Sequence, residues 1–368
     1  MGATRPLLFV APALDDRTGG EIYNGYLIRG LEGTFEVTRI ETLKLRAGIA
    51  GFLKRLHPSL ASKHRVAMVL TRTYLLFRYA SRRRHMMIDW ESVADCSWLA
   101  SISKFLGGRS IIMVFHFDPP ARSEENQVWR LRRKRLRVAR AVITISAFVA
   151  KQLEGLKLRR PITILEPGIL KQRRTAGASA PHKLLRRTDV KLLFVGSLIA
   201  RKDVLLIIEA LGMVESTSSL FLVGDLKDTE YVAKLHAAVE ARGLGDRIHF
   251  VGRVDDAALA GYYSEADLFV FPSVMEGYGI ALAEAVHAGL PVVAARAGAI
   301  PELVCHNVNG LLFTPGSARE LATALDILCR DSSLRARMSS AALERAAIIP
   351  DWELFQHNAR GFINGVLQ

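Results

Sequence analysis

The sequence predicts an α/β protein with two doubly wound parallel sheets. Short apolar runs rich in β-branched and aromatic residues alternate with helical patterns along most of the chain, which is typical of βαβ units. The 368 residues are enough for two domains, and half of them are apolar, which is enough to fill two cores. No run of eighteen apolar residues occurs, so we expect no membrane-spanning helix.

Charge divides the chain into two unlike halves. Residues 1–174 contain 32 Lys and Arg against 14 Asp and Glu, an excess of 18 positive charges. Residues 175–368 contain 18 against 22, an excess of 4 negative charges, which leaves the net charge of +14. This asymmetry indicates that one domain meets an anionic partner. The three cysteines show neither metal-ligand nor disulfide spacing, so a reducing cytoplasm is expected.

The first predicted strand is Leu7–Pro12, which is too short and lacks the cleavage site of a signal peptide. A loop that ends in Gly19 and Gly20 precedes a predicted helix, Glu21–Leu31. The N–H groups at the start of such a helix can hold an anion, although a glycine pair can also simply end a turn.

An acid-free basic stretch covers residues 42–88, with eleven Lys and Arg and no Asp or Glu. It resembles basic amphipathic helices that lie on an anionic membrane surface, where each cation contributes about 1 kcal/mol. Ordinary helices with a solvated basic face remain an alternative, as does a nucleic-acid surface, although no RNA- or DNA-binding motif is present. The cations that we assign to a membrane or acceptor surface are Lys54, Arg55, Arg72, Arg78, Arg82, Arg83 and Arg84.

A second candidate region follows the predicted buried strand Ile111–His116. Ligands gather at the carboxyl ends of strands in open parallel sheets, so His116 is a candidate cleft residue, although a lone histidine is most often structural. The dense basic helix Trp129–Arg140 fits a membrane-facing stripe, a phosphate-binding face or a solvated helix, and we favour the last. A strand, a helix and a strand complete this half at Ala141–Ser146, Ala147–Leu156 and Ile162–Leu165.

The second half opens with the predicted strand Leu192–Gly196. Arg201 and Lys202 then precede an apolar helix, and two cations at a helix start can bind a diphosphate. Asp255 and Asp256 could suggest a metal pair, but we interpret them as the cap of a helix. The other predicted elements before residue 270 are Leu220–Asp225, a helix near 229–242, Ile248–Arg253 and a helix at Ala257–Tyr263.

Two acids lie around the next strand-to-helix turn. Glu276 lies in a loop after the predicted strand Leu268–Pro272, and Glu284 lies inside the predicted helix Ile280–Ala288. Unpaired N–H groups at the helix start suit a phosphate, and glycines let the backbone approach a ligand closely. We therefore predict a nucleotide-sugar site in which Glu284 accepts ribose hydroxyls and Glu276 hydrogen-bonds sugar hydroxyls. The alternative is a plain turn with solvated glutamates. Val292–Arg296, Ser317–Leu328 and Ser332–Ala347 follow as a strand and two helices.

The run E-G-Y-G-I-A-L-A-E, followed by A-G-L-P-V-V-A and G-A-I-P-E-L-V, resembles the donor signature of retaining GT-B glycosyltransferases, family 4 type. The resemblance runs from about residue 191 to residue 352. It implies two facing Rossmann-like domains, with a C-terminal helix that crosses back to the N-terminal domain. It further implies an acceptor-binding domain at 1–172 with about 352–368, a linker at 173–190, and a donor-binding domain at 191–351.

The resemblance also implies roles for single residues. Lys202 would bind the donor phosphates, Gly19 and Gly20 would face the donor, and His116 would lie near the sugar or the acceptor hydroxyl. Two departures from the family pattern are Ser197 in place of an arginine and Asp203 in place of a glycine. The predicted catalytic residues are Glu276, Lys202 and His116. The predicted donor-binding residues are Gly19, Gly20, Ser197, Arg201, Lys202, Arg253, Val254, Glu276, Gly277, Tyr278, Gly279, Ile280 and Glu284.

The expected reaction is transfer of a sugar from a nucleotide diphosphate sugar to an acceptor hydroxyl, with retention and without a metal or another cofactor. UDP-sugars are favoured over GDP- or ADP-sugars as donors. The basic stretch 42–88 points to a lipid or lipid-linked acceptor on the anionic inner face of the cell membrane, and we expect no nucleic-acid partner. A soluble acceptor, such as a natural-product aglycone or a free sugar, remains an alternative. A non-catalytic binder of sugar nucleotides is another, suggested by Ser197.

Overall fold

The computed structural model divides the chain into two compact units, residues 1–166 with 353–368 and residues 167–352. The residues that the structure describes are 5–11, 19–41, 44–45, 47–50, 52, 70–71, 73–74, 86–90, 109–115, 127–160, 162–170 and 190–367. The predicted linker, His116 and the seven cations assigned to a membrane surface lie outside these ranges, apart from Val190 at the end of the linker.

The first unit contains a six-stranded parallel sheet with the order β2-β1-β3-β4-β5-β6. Its interior strands β4 and β5 are largely apolar and are buried along nearly their whole length, as is typical of a parallel sheet. The elements are β1 (Arg5–Ala11), α1 (Gly19–Leu31), β2 (Phe35–Glu41), β3 (Met86–Trp90), β4 (Arg109–Val114), α2 (Gln127–Val138), β5 (Ala141–Thr144), α3 (Ala147–Glu154) and β6 (Ile162–Ile164).

The second unit contains another six-stranded parallel sheet, with the order β12-β11-β10-β7-β8-β9. Its first strands and helices are β7 (Val190–Val195), a 3-10 turn (Ala200–Lys202), α4 (Val204–Leu211), β8 (Ser218–Val223), α5 (Thr229–Ala241), β9 (Ile248–Gly252) and α6 (Asp256–Glu265). The remaining ones are β10 (Leu268–Phe271), α7 (Ile280–His287), β11 (Val292–Ala295), α8 (Ile300–Leu303), β12 (Gly310–Phe313), α9 (Ala318–Arg330) and α10 (Ser332–Ala346).

The last helix, α11 (Trp352–Leu367), packs on α1 of the first unit. The Phe355 ring meets the Tyr23 ring edge-on, with centroids 4.7 Å apart. Gln356 Nε2 donates to the Tyr26 carbonyl at 3.1 Å, and Arg360 Nε donates to the Gly30 carbonyl at 2.7 Å. The predicted fold class is therefore confirmed, including the C-terminal helix that returns to the N-terminal domain.

Two local expectations are corrected. Met86–Trp90 form a strand, although residues 86–88 belong to the stretch predicted as amphipathic helices, because they pair with β1 and β4 as an interior strand. Residues 44–45, 47–50, 52, 70–71 and 73–74 of that stretch are helical. Helix α1 begins at Gly19 rather than Glu21, since the first positions of a helix need no intrahelical N–H partner and so tolerate glycine.

Candidate functional site

An ion pair joins the loops that follow β7 and β10. Lys202 Nζ lies 2.5 Å from Glu276 Oε2 and 4.7 Å from the centroid of the Phe271 ring. Only 13% of the lysine side chain and 10% of the glutamate side chain are exposed. Because β7 and β10 are adjacent parallel strands, both loops leave the same edge of the sheet, where ligands bind in open α/β sheets.

Burial lowers the pKa of Lys202 below its ordinary value, because the charged ammonium loses water. The carboxylate of Glu276 acts in the opposite direction and raises this pKa, while the neighbouring charge of Arg201 lowers it. The charge of Lys202 therefore depends on what lies against it, and an anionic partner favours the protonated form.

Glu276 Oε2 has two further neighbours. Arg201 places a guanidinium nitrogen 3.5 Å from this oxygen and donates from the same nitrogen to the Met275 carbonyl at 2.6 Å. Ser273 Oγ donates to Glu276 Oε2 at 3.2 Å. Two cations and a hydroxyl thus converge on one carboxylate oxygen, which fixes the side chain of Glu276 at the edge of the sheet.

Two glycines hold the backbone around Glu276. Gly298 has φ +56°, and a Cβ on it would lie 2.1 Å from the Glu276 carbonyl oxygen, which accepts from the Ala299 N–H at 2.9 Å. Gly279 has φ +94° and precedes α7, and a Cβ there would lie 3.3 Å from Glu276 Cγ. Gly298 was not among the predicted site residues. It belongs to the G-A-I-P-E-L-V run of the family signature, and this run was the signal that could have identified it.

Glu284 lies in α7 and is 8% exposed. The hydroxyl of Tyr263 donates to Glu284 Oε2 at 3.0 Å and also lies 3.1 Å from the Ala281 carbonyl. Tyr263 is completely buried near the end of α6, so its hydroxyl fixes the Glu284 carboxylate from the interior of the second unit. In the sequence, Tyr263 was predicted only as the end of a helix, since nothing local marks a tyrosine that reaches a glutamate 21 residues later.

Glycines end three adjacent strands of the second sheet. Gly196, Gly224 and Gly252 follow or close β7, β8 and β9, and all have positive φ. A Cβ on Gly224 would lie 1.9 Å from the Gly196 carbonyl oxygen, so the backbones touch here. The predicted donor-binding residues Ser197, Arg253 and Val254 come directly after two of these glycines, at the same edge as Lys202.

The other predicted residues are placed as follows. Gly277, Tyr278 and Gly279 are buried and lead into α7, where Ile280 is half-buried. Gly19 and Gly20 form the start of α1 in the first unit. His116 lies outside the described residues.

Asp203 occupies a conformation that favours glycine. It has φ +49° and ψ +41°, in the left-handed region, between the 3-10 turn and α4. This geometry gives the physical reason for the glycine preference of the family pattern. Burial raises the pKa of Asp203, and the negative charge of Glu209 adds to this effect.

No metal centre is formed by the part of the chain that the structure describes, which contains no group of three or more His, Cys, Asp or Glu suited to a metal ion. The Asp255 carboxylate accepts from the Ala258 N–H at 2.8 Å, so Asp255 caps α6 as predicted, whereas Asp256 is the first residue of the helix. None of the described helices combines the length and the apolar character needed to cross a bilayer.

The sequence family described as "Glycosyl transferases group 1" matches residues 179–345. The amylovoran biosynthesis glycosyltransferase AmsK of Erwinia amylovora is 34% identical over 142 residues, which are 37% of this chain and 35% of the relative. The phosphatidyl-myo-inositol mannosyltransferase of Mycobacterium leprae is 38% identical over 116 residues, 31% of each protein. These matches span about a third of the length of both relatives.

Solved structures match over nearly the whole chain. Anabaena Alr3699/HepE in complex with UDP superposes with a TM-score of 0.77 at 20% identity, over 98% of this chain and 100% of that chain. Sucrose-phosphate synthase from Thermosynechococcus elongatus gives a TM-score of 0.77 at 18% identity, over 98% and 99%. At such identities the likeness shows the fold. Residues 179–345 of this chain are therefore similar to the glycosyl transferases group 1, and the fold is that of GT-B glycosyltransferases.

Proposed function

We propose that this protein is a retaining glycosyltransferase that transfers a sugar from a nucleotide diphosphate sugar to an acceptor hydroxyl. The observation that carries this proposal is the convergence of Lys202 and Arg201 on Glu276, next to the start of α7. Cations and free helix N–H groups suit a diphosphate, and carboxylates suit sugar hydroxyls. In this proposal the second unit binds the donor and the first unit binds the acceptor.

Donor binding would exchange the partner of Lys202. A diphosphate next to Lys202 and the first N–H groups of α7 competes with Glu276 for the ammonium group. The Glu276 carboxylate then turns to the sugar hydroxyls, which donate hydrogen bonds to it, while Ser273 and Arg201 keep it in place. Glu284, held by Tyr263, accepts hydrogen bonds from the ribose hydroxyls.

In the proposed reaction, the bond between the anomeric carbon and the phosphate oxygen breaks. The acceptor oxygen bonds to the anomeric carbon from the same face, and its proton passes to the leaving phosphate, so no protein base is required. Lys202, Arg201 and the start of α7 stabilise the negative charge that develops on the phosphate. The scheme assigns no step to a metal, and it does not use Glu276 and Glu284 as an acid–base pair.

A UDP-sugar is the proposed donor, in preference to GDP- or ADP-sugars. The Anabaena HepE structures with UDP and with UDP-glucose support this choice. A thermal-shift experiment with UDP-glucose, GDP-mannose and ADP-glucose tests it, because a ligand that binds only the folded state raises the apparent stability. We expect the largest rise with the UDP-sugar, and a much smaller one for Lys202→Ala. The absence of a shift with all three donors would refute a donor site at Lys202.

Activity is tested by donor hydrolysis and transfer, measured for the wild type and for Glu276→Ala. We expect the variant to lose most of the activity, since it lacks the carboxylate that meets the sugar. Equal activity of the two proteins would remove Glu276 from the mechanism. Donor binding without any turnover in the wild type would instead support a non-catalytic binder of sugar nucleotides.

The proposed acceptor is a lipid or a lipid-linked sugar, reached from the cytoplasm at the anionic inner face of the membrane. The acid-free stretch 42–88 supports this, and its described residues Phe52, Leu70 and Tyr74 are exposed. The name of the Mycobacterium leprae relative, a phosphatidyl-myo-inositol mannosyltransferase, is consistent with such an acceptor. Flotation with anionic vesicles at low salt tests membrane binding, with zwitterionic vesicles as the control. Failure to float with the anionic vesicles would favour a soluble acceptor.

A further inference from the structure

A basic cavity lies in the first unit, between α2 and the segment that follows α3. It is an open concavity of about 520 Å³, and the charged residues of its described lining are all cations. The cations are Arg130, Arg133, Lys134, Arg137 and Arg159. The apolar side chain of Val138 also lines the cavity.

The four cations of α2 are spaced i, i+3, i+4 and i+7, so they share one face of the helix. The helix cannot rotate this face inward, because Leu136 on another face packs against Val149, Leu153 and Leu156 in the core. Packing of α2 against α3 and β5 therefore directs the cations toward the cavity. The basic face of α2 therefore forms one wall of a concavity. A helix whose cations were only solvated would not need a concave surface.

Arg137 is held at the wall of this cavity. Its Nε and one terminal nitrogen both lie 3.4 Å from the Leu156 carbonyl, just after the end of α3. Arg159 approaches from the turn beyond Leu156 and supplies the other wall. Cations from two separate segments thus meet around one concavity, and no carboxylate belongs to its described lining. A phosphate group placed in this concavity would therefore meet cations from both segments.

We propose that this cavity binds a phosphate-bearing ligand. Arginine guanidinium groups match phosphate oxygens in pairs, and lysine adds a mobile charge. The volume is that of a pocket for a small molecule, so it suits a phosphorylated metabolite or a phosphorylated lipid headgroup. Both sources share the same chemistry, clustered phosphate oxygens. This proposal does not depend on glycosyl transfer.

The test uses the full chain with Lys202→Ala as background, which removes one cation of the proposed donor phosphate site and so weakens binding there. The cavity variant is Arg130→Gln with Lys134→Gln, because both side chains are exposed. The control, Arg29→Gln with Lys151→Gln, removes two exposed cations of the same unit outside the cavity. Arg159→Gln tests the opposite wall independently of the helix. Circular dichroism melting confirms that each variant folds.

Binding of inorganic pyrophosphate is measured by calorimetry, and binding to phosphatidylcholine vesicles with or without phosphatidic acid by co-sedimentation. We expect the cavity variant to weaken binding of at least one probe by about tenfold or more, and the control by less than about threefold. Loss of pyrophosphate binding alone would indicate a soluble ligand, and loss of vesicle binding alone a lipid headgroup. Equal losses in the cavity and control variants, or no binding of either probe, would overturn the proposal.

Discussion

Lys202 and Glu276 are 74 residues apart in sequence, yet their side chains form an ion pair at 2.5 Å across the carboxyl ends of β7 and β10. Both side chains are nearly buried, so the Lys202 ammonium group is compensated by Glu276, and the Glu276 carboxylate by Lys202 and Arg201. In the proposed mechanism, Lys202 meets a donor phosphate and Glu276 meets the sugar. The experiments below separate these functions.

Replacing Lys202 by alanine should lower kcat/KM for transfer by at least about tenfold, or about 1.4 kcal/mol, because the leaving phosphate loses its cation. Steady-state kinetics with the best donor from the thermal-shift screen provide the measurement. Lys234→Ala is the control, since Lys234 is exposed on α5 and pairs with Glu230 at the surface. An unchanged kcat/KM in Lys202→Ala would exclude this residue from the reaction.

Glu276→Gln should shift the pH dependence of donor binding. The Glu276 carboxylate raises the pKa of Lys202 against the effect of burial, so its loss lowers that pKa further. Lysine is charged below its pKa, and donor phosphates need the charged form. As the pH rises, the variant should therefore lose donor affinity at a lower pH than the wild type.

Titrations of the donor between about pH 6 and pH 10 measure this shift. Glu284→Gln is the control, because Glu284 does not contribute to the pKa of Lys202. Its alkaline midpoint should match that of the wild type, although its affinity is lower at every pH. Identical midpoints for Glu276→Gln and the wild type would show that the ion pair does not control the charge of Lys202.

Tyr263→Phe should weaken donor binding by about threefold to tenfold, since it removes the hydrogen bond that positions Glu284. The effect should fall on KM more than on kcat, because Glu284 is assigned to the ribose. Tyr262→Phe is a closely matched control. Tyr262 is also buried, and its hydroxyl has no hydrogen-bond partner among the described residues. If both variants bind the donor equally well, Tyr263 has only a packing role.

Gly298→Ala should reduce activity strongly, because the added Cβ would lie 2.1 Å from the Glu276 carbonyl oxygen and force the loop to move. Gly316→Ala separates this clash from backbone strain. Gly316 also has a positive φ, at +79°, but a methyl group added there would meet no described heavy atom within 4 Å. We expect Gly316→Ala to lower stability by about 1 kcal/mol while activity is retained. Equal activities of the two variants would contradict the positioning role of Gly298.

Asp203→Asn should raise the free energy of unfolding at neutral pH. Asparagine tolerates the left-handed conformation as aspartate does, but it removes a charge that burial disfavours. The folded pKa of Asp203 lies above its unfolded value, so ionisation costs stability as the pH rises from the unfolded to the folded pKa. The advantage of the variant should therefore be absent at low pH and should grow through this window. Urea unfolding at several pH values measures it, and an advantage independent of pH would contradict the electrostatic cause.

Local patterns were sufficient to predict much of the second unit. The strand before Glu276 and the helix after Gly279 were both predicted within one residue, because a short apolar run and a helix bounded by glycines are local signals. Three strands were missed for physical reasons. Phe35–Glu41 carries charges at positions 36, 39 and 41, and Met86–Trp90 follows an arginine run. Gly310–Phe313 begins with a glycine, a residue that is depleted in strands.

The amino-acid sequence alone established the α/β class, the order of most elements, the two acids of the turn and the lysine before α4. These features depend on residues that are neighbours along the chain. Only the tertiary structure placed Lys202 against Glu276, Tyr263 under Glu284, and Gly298 on the Glu276 backbone. These contacts join segments 21 to 74 residues apart or cross from one loop to another, so they depend on which strands are adjacent. Because β10 pairs with β7, distant parts of the sequence meet at one edge of the sheet. The periodicity of the sequence does not indicate which strands pair.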